Sequence, residues 1–271
     1  MKKTHFKTDM YFSACGRSYT DEFASLNIIG GTRAFKGEFP WQVSVRNLDP
    51  SGRYTRHFCG GALLNDRWVL TAGHCVVDDY GRIVQPSSLY VRAGEHDETV
   101  HEGSEIQVRV THVYLHPRYV HLHRDVAIVR LAKRLRLSRF VQPICLPPGD
   151  ILLDPSLNCT ISGWGNTFVH GTPPAYLISM WLCTPNRPPF GSCGKLYCSS
   201  NSLIGRSSCM CHGDICCGDS GGPMSCQLTD SRWYLVGLAS FGPGCAKDTT
   251  PDVYTRVSYF SNWILSTIES H

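Results

Sequence analysis

The chain has 271 residues, 42% hydrophobic and 18% charged, which is enough to bury a substantial core and too apolar for intrinsic disorder. Its 26 basic and 22 acidic residues leave a net charge of +4 that reads as spread along the chain, giving no compositional support to a nucleic-acid or membrane-surface role. Fourteen cysteines, about 5% of the chain, indicate a secreted or extracellular protein, and they are not grouped like the paired CxxC motifs of a zinc ribbon.

Residues 1–27 are polar and patternless apart from Cys15, and Lys2, Lys3 and Lys7 are not followed by the apolar run of a signal peptide. No stretch approaches the roughly 18 consecutive apolar residues of a membrane span. From Ile28 the chain becomes a series of short apolar runs broken by Gly, Pro and Asp/Asn. These are WQVSV (41–45), GALLN (61–65), WVLTA (68–72), SLYVRAG (88–94), IQVRVTHVYL (106–115), VAIVRL (126–131), CTISGWG (159–165), WYLVGLASF (233–241) and VYTRV (253–257). Their Val, Ile, Tyr and Trp content, length and spacing predict an all-β sandwich or barrel, without the long helices of an α/β fold. One helix is predicted, over 258–270, capped by Ser258 and with Tyr259, Phe260, Trp263, Ile264 and Ile268 on one apolar face.

Three segments carry chemistry together: TAGHC (71–75), HRDVAIVRL (123–131) and GDSGGP (218–223). A serine hydroxyl is a poor nucleophile near neutral pH and needs a base that takes its proton and later returns it. Histidine has the pKa for that task, and a buried carboxylate fixes its tautomer and stabilises the imidazolium. Asp125, set against an apolar strand, is placed to be buried. Ser220 lies in a glycine-dense turn whose backbone N–H groups can face a developing oxyanion. The order His, Asp, Ser is one of the convergent arrangements of such a triad.

With those motifs, and with IIGGTRAFKGEFPWQVSV (28–45), the sequence resembles the trypsin/chymotrypsin family of serine endopeptidases over about nine-tenths of its length. The resemblance implies an all-β fold of two packed six-stranded antiparallel β-barrels with a C-terminal helix, the active site between them. It implies a propeptide-like segment over 1–27 and a protease domain over 28–271. His74 is then the general base, Asp125 its orienting carboxylate and Ser220 the nucleophile, with oxyanion-hole amides from Gly218 and Ser220. Ser240 falls beside the triad aspartate, and the segment 240–242, ending at Gly242, where a substrate peptide pairs as an added strand.

Asp214, six residues before Ser220, matches the pocket-floor aspartate that pairs with a substrate Arg or Lys. Asp252 stands where such enzymes usually carry Gly, adding a second carboxylate that is expected to narrow and acidify the pocket. Arg/Lys preference with reduced turnover is expected. Activation would pair the freed Ile28 ammonium with Asp219, although Asn27 precedes Ile28 where Arg or Lys is usual. Either an Asn-specific protease makes that cut or the chain stays a zymogen.

No cofactor is expected for catalysis. The segment GEHDETVHEGSE (94–105) resembles loops that hold a structural Ca²⁺ through Glu95, Asp97, Val100, Glu102 and Glu105, the second and third by backbone carbonyls. The resemblance pairs Cys15 with Cys145, Cys59 with Cys75, Cys159 with Cys226 and Cys216 with Cys245. Cys183, Cys193, Cys198, Cys209, Cys211 and Cys217 remain, with Cys193–Cys209 the favoured further bridge. Expected partners are protein or peptide substrates and protein protease inhibitors, with no nucleic acid and no membrane, the protein acting as a monomer. The competing reading is a catalytically weak or silent homologue serving as a binding module.

Overall fold

Alternation of Val with Gln and Ser in QVSV sends Val43 and Val45 to one face of an extended strand and Gln42 and Ser44 to the other, and all four are buried. Both faces are covered because this strand belongs to a closed barrel that packs against a second sheet. The computed structural model describes residues 15–19, 32–48, 51, 54–148, 157–166, 174–182, 208–211, 219–242 and 252–271.

The barrel is formed by β2 (Gln42–Leu48), β3 (Tyr54–Asn65), β4 (Trp68–Thr71), β5 (Leu89–Ala93), β6 (Ile106–Leu115) and β7 (Ala127–Leu131), closed in the order β2-β3-β4-β7-β6-β5. One face of its wall carries Val43, Val45, Leu63, Val69, Val91 and Val129 and the other Leu70 and Ile128, each essentially inaccessible to water. Burial on both faces explains why residues 126–129, leading into β7, read as an unbroken apolar run instead of alternating.

The second layer comprises β1 (Thr32–Arg33), β8 (Asn158–Gly163), β9 (Ile178–Leu182), β10 (Ser208–Cys211), β11 (Pro223–Gln227), β12 (Trp233–Phe241) and β13 (Asp252–Arg256). Among the described residues these form a seven-stranded antiparallel sheet in the order β1-β9-β8-β11-β12-β13-β10, with β1 and β10 at its edges. The all-β architecture expected from the sequence is therefore present as one closed six-stranded barrel, a second sheet and a terminal helix. The strands β1, β9, β10 and β11 were not separately legible: two and four residues are too short for a pattern, and PMSCQ has no alternation of apolar and polar residues.

The two layers share one core. Trp41 of the barrel segment and Trp233 of β12 meet at a ring-centroid distance of 5.9 Å, and the Trp41 indole N–H donates to Ser225 Oγ at 3.0 Å. Ser162 Oγ donates to Gln42 Oε1 at 2.8 Å, closing a second polar link between barrel and sheet. Helix α1 (Val257–Ser270) docks on this core through Val257, Phe260 and Ile264, where burying each large apolar side chain contributes about 2 kcal/mol. The expected Ser258 cap is not used. The cap position is Arg256, in extended backbone, and Ser258 Oγ instead accepts from Arg256 Nε at 3.1 Å. Tyr259, assigned to the apolar face by periodicity, is half exposed, because Val257 takes the first core position and rotates the buried stripe.

Three disulfides are present among the described residues: Cys15–Cys145, Cys59–Cys75 and Cys159–Cys226. The pairing of Cys216 with Cys245 lies outside the described residues, as do Cys183, Cys193, Cys198 and Cys217.

Candidate active site

Register between β4 and β7 sets Thr71 opposite Ala127. The chain leaves β4 into a single 3₁₀ turn, Gly73–Val76, while β7 is entered from Asp125, so the turn and the aspartate arrive side by side. Gly73 is needed there, since a Cβ would meet the Tyr119 ring at 2.8 Å. The Cys59–Cys75 disulfide ties the turn back to β3.

Asp125 is 1% exposed and grips His74 twice, Oδ1 accepting the backbone N–H at 2.8 Å and Oδ2 facing ring Nδ1 at 2.7 Å. Ser240 Oγ donates to the same Oδ2 at 2.5 Å, and Thr255 Oγ1 donates to the Asp125 carbonyl at 2.7 Å. A carboxylate on Nδ1 holds the proton there and leaves Nε2 with its lone pair. The His74 side chain is 26% exposed against 1% for Asp125, so the basic nitrogen reaches solvent while its orienting partner stays dry. Burial and the Asp125 charge both raise the Tyr119 phenol pKa, keeping that neighbour neutral.

Ser220 stands in a turn closed by Gly222 N–H donating to Asp219 O at 2.8 Å. Gly221 occupies the third position of this turn at φ +76°, and its N–H donates to Ala239 O of β12 at 2.7 Å. A Cβ at Gly221 would collide with Thr71 Oγ1 and with Gly60 O. Gly60 N–H in turn donates to Ser220 O at 2.7 Å, so the serine is held by both layers at once. Among the described residues no hydrogen bond joins Ser220 Oγ to His74.

Asp219 Oδ1 accepts the Gly165 N–H at 2.9 Å, and Gly163 and Gly165 leave room for that carboxylate where side chains would collide with it. Its expected partner Ile28, the expected oxyanion residue Gly218 and the expected pocket residue Asp214 lie outside the described residues. Asp252 is 2% exposed on β13, with Oδ1 against Cα of the exposed Gly242.

In the acidic loop, carboxylate oxygens of Glu95, Glu102 and Glu105 all lie within 4.8 Å of one another. Glu95 is buried and also bound by Arg92 Nε at 2.8 Å and Arg46 at 3.4 Å. Burial pushes its carboxyl up to about 7 against the pull of both arginines. The Glu105 carboxyl is opposed by burial yet held low overall by the N–H groups of Glu102 and its own backbone and by His101. The Asp97 carboxylate instead accepts from the Thr99 N–H and hydroxyl, and Val100 is exposed. A second convergence, Cys59, His74 and Cys75, is no metal site because the two cysteines are bonded to each other. Thr71 belongs to the TAGHC segment, whereas Thr255 and Gly60 support the site without any local sequence signal; only strand register brings those two there.

A model of the Trypsin family matches residues 28–264. Serine proteinase stubble of Drosophila melanogaster is 37% identical over 253 residues, covering 88% of this chain and 30% of that protein. Transmembrane protease serine 9 of Rattus norvegicus is 36% identical over 250 residues, covering 90% of this chain and 22% of the relative. Tryptase of Mus musculus is 34% identical over 252 residues, covering 88% of this chain and 87% of that one. The chain thus spans less than a third of the first two relatives and most of the third.

Proposed function

This chain belongs to the trypsin family of serine-type endopeptidases, and we propose that it hydrolyses peptide bonds after Arg or Lys outside the cell, using His74, Asp125 and Ser220. The observation that carries this reading is the double grip of Asp125 on His74, with Ser240 fixing the carboxylate from behind. In the proposed reaction Ser220 Oγ attacks the substrate carbonyl as His74 Nε2 takes its proton. The N–H groups of Gly218 and Ser220 receive the oxyanion, and the imidazolium, stabilised by Asp125, returns the proton to the leaving amine. Water then attacks the acyl-enzyme with His74 again as base. Trypsin-family proteases need no cofactor for these steps.

Specificity is proposed to rest on Asp214, with Asp252 adding a second carboxylate on the Gly242 side of the pocket. Residues 1–27 are proposed to form a propeptide that the Cys15–Cys145 bridge keeps attached after cleavage before Ile28. The new ammonium would pair with Asp219, whose backbone partner Gly165 is already in place. Extracellular action accords with the three disulfides, and no helix among the described residues is long and apolar enough to cross a membrane. Protein substrates, protein inhibitors and a monomeric state complete the proposal.

The acidic loop fits a structural calcium ion: opposed oxygen ligands at about 2.4 Å stand up to about 4.8 Å apart, and carboxylate oxygens of Glu95, Glu102 and Glu105 all lie within 4.8 Å of one another. Those three carboxylates would hold the ion, with the Asp97 and Val100 carbonyls completing the set. The ion would add charge neutralisation and rigidity to the loop.

A silent homologue acting as a binding module is the second reading, favoured by the missing Ser220–His74 hydrogen bond and by the Asp252 carboxylate beside Gly242. The two readings separate on one experiment. The chain is treated with an asparaginyl endopeptidase, its new N-terminus sequenced, and the product exposed to a fluorophosphonate probe and to Arg, Lys and Phe peptide substrates. Labelling at Ser220, lost in Ser220→Ala, with faster cleavage after Arg or Lys is expected. A folded chain carrying an Ile28 terminus that neither labels nor cleaves would overturn catalysis.

A further inference from the structure

The net charge of +4 conceals a strong segregation. Residues 106–148 contain eight Arg or Lys and a single acidic residue, the buried Asp125, whereas the rest of the chain carries 18 basic and 21 acidic residues. The even distribution read from the whole-chain balance does not hold at this scale.

The fold gathers five of these cations, Arg109, Lys133, Arg134, Arg136 and Arg139, on one ridge, while Arg118 and Arg124 lie near His116 at the other end of β7. Ala132 N–H donates to Arg109 O at 2.9 Å, placing Lys133 beside the exposed Arg109. Arg67 Nε donates to Leu131 O at 3.2 Å, and Leu135 N–H to Asp66 O at 2.6 Å, so the β3–β4 turn lies against the 132–140 loop. Leu135 alone in that loop points into the core, which turns Lys133, Arg134, Arg136 and Arg139 outward. At its far end Arg139 and Lys36 cover the Phe140 ring at 4.6 and 5.0 Å. Two carboxylates reach the ridge and both are engaged, Asp66 by Arg134 at 2.8 and 2.9 Å and, at the far end, Glu102 by Lys36 at 3.4 Å. Among the described residues Lys133, Arg136 and Arg139 form no ion pair with a carboxylate. The ridge is remote from the catalytic residues, since β7 carries the chain roughly 15 Å from its Asp125 end to Leu131.

We infer that this ridge is an exosite for a sulfated polysaccharide. Unpaired, exposed guanidinium groups match sulfate oxygens by paired N–H donation, and a row of them matches a linear polyanion. Its aromatics are already taken, Phe140 covered by two cations and the buried Tyr90 lying under Arg109, so the ridge offers no ring on which successive bases could stack. The disulfides favour an oxidising compartment, where polyanions of this class are found and the anionic cytoplasmic leaflet is not. Binding would hold the protease on a matrix or cell surface while leaving its cleft open.

The test is calorimetric titration of the full chain with a fully sulfated heparin octasaccharide over a series of NaCl concentrations. Binding that weakens steeply with salt is expected, as is a loss of about tenfold or more, with a shallower salt slope, in the Lys133→Ser/Arg136→Ser/Arg139→Ser variant. The control variant Arg82→Ser/Arg232→Ser, which removes cations elsewhere, should change affinity by less than about twofold. Near-UV circular dichroism and melting temperature verify that both variants fold. Absence of binding, an equal loss in the control, or no loss in the ridge variant would overturn the exosite. Equal affinity for the desulfated octasaccharide, for single-stranded DNA or for phosphatidylserine vesicles would overturn its assignment to a sulfated polysaccharide.

Discussion

Asp252 Oδ1 occupies the space that a Cβ on Gly242 would fill, on the strand proposed to pair with substrate. A buried carboxylate at this point costs desolvation and opposes ionisation of any second carboxylate near it. Asp252→Gly is therefore expected to widen the pocket and raise kcat/KM for Lys and Arg substrates by about tenfold, with little change for Phe. Steady-state kinetics on matched peptide anilides measure this; an unchanged Lys/Phe ratio would remove Asp252 from the pocket.

Ser240 supplies one of three hydrogen bonds received by the Asp125 carboxylate. Ser240→Ala should lower kcat about tenfold with KM nearly unchanged, because His74 loses orientation while the binding surface is retained. Asp125→Asn should be far more severe, about 10⁴-fold, since the amide cannot hold the productive tautomer. Comparable losses in the two variants would contradict this ranking.

Gly221 combines φ +76° with contact against Thr71 and Gly60 O. Gly221→Ala should destabilise the fold by about 2 kcal/mol or more and abolish Ser220 labelling even in the folded fraction. Urea unfolding monitored by fluorescence, with probe labelling below the transition, would report both effects. A fully labelled, equally stable variant would show that the turn tolerates rearrangement.

Glu95 links calcium, pH and stability. Its folded carboxyl sits near 7 against an ordinary 4.5, raised by burial despite Arg92 and Arg46. Between those values the folded chain holds a proton that the unfolded chain has released, so in chelator its stability falls as pH rises through that window. The melting temperature in EDTA should be a few degrees lower at about pH 7.5 than at about pH 5.5, and Glu95→Gln should flatten the difference. Millimolar Ca²⁺ at the higher pH should raise it by an amount corresponding to about 2–3 kcal/mol if the ion saturates the loop. A calcium-independent melting curve would remove the ion from this loop.

The Cys159–Cys226 bridge spans 67 residues of chain and joins paired positions on β8 and β11. Closing a loop of that size restricts the unfolded ensemble by about 4 kcal/mol, so replacing both cysteines with Ser should cost a comparable amount in denaturant unfolding. The neighbouring Cys59–Cys75 bridge closes only 16 residues and should cost less in stability but more in activity, since it anchors the His74 turn.

Much of this was legible from residue order. Short apolar runs and their punctuation announce nine of the strands, and GDSGGP with TAGHC supplies the proposed nucleophile and base, because such a turn demands small residues and particular chemistry within a few positions. The charge ridge was also written in the chain, but only once counted segment by segment. The edge strands β1 and β10, of two and four residues, carried too little pattern to be separated from loops.

By itself, then, the sequence determined the all-β class and the membership in a protease family, and it supplied the side chains proposed to react, all of which depend on local patterns. Tertiary structure alone decided what those side chains touch. Gly60 and Thr255 meet the catalytic segments only through strand register, and Leu135 turns its basic neighbours outward only because a core lies beneath it. Such contacts join residues as far apart as Gly60 and Ser220, and no local signal encodes a distance that chain folding alone closes.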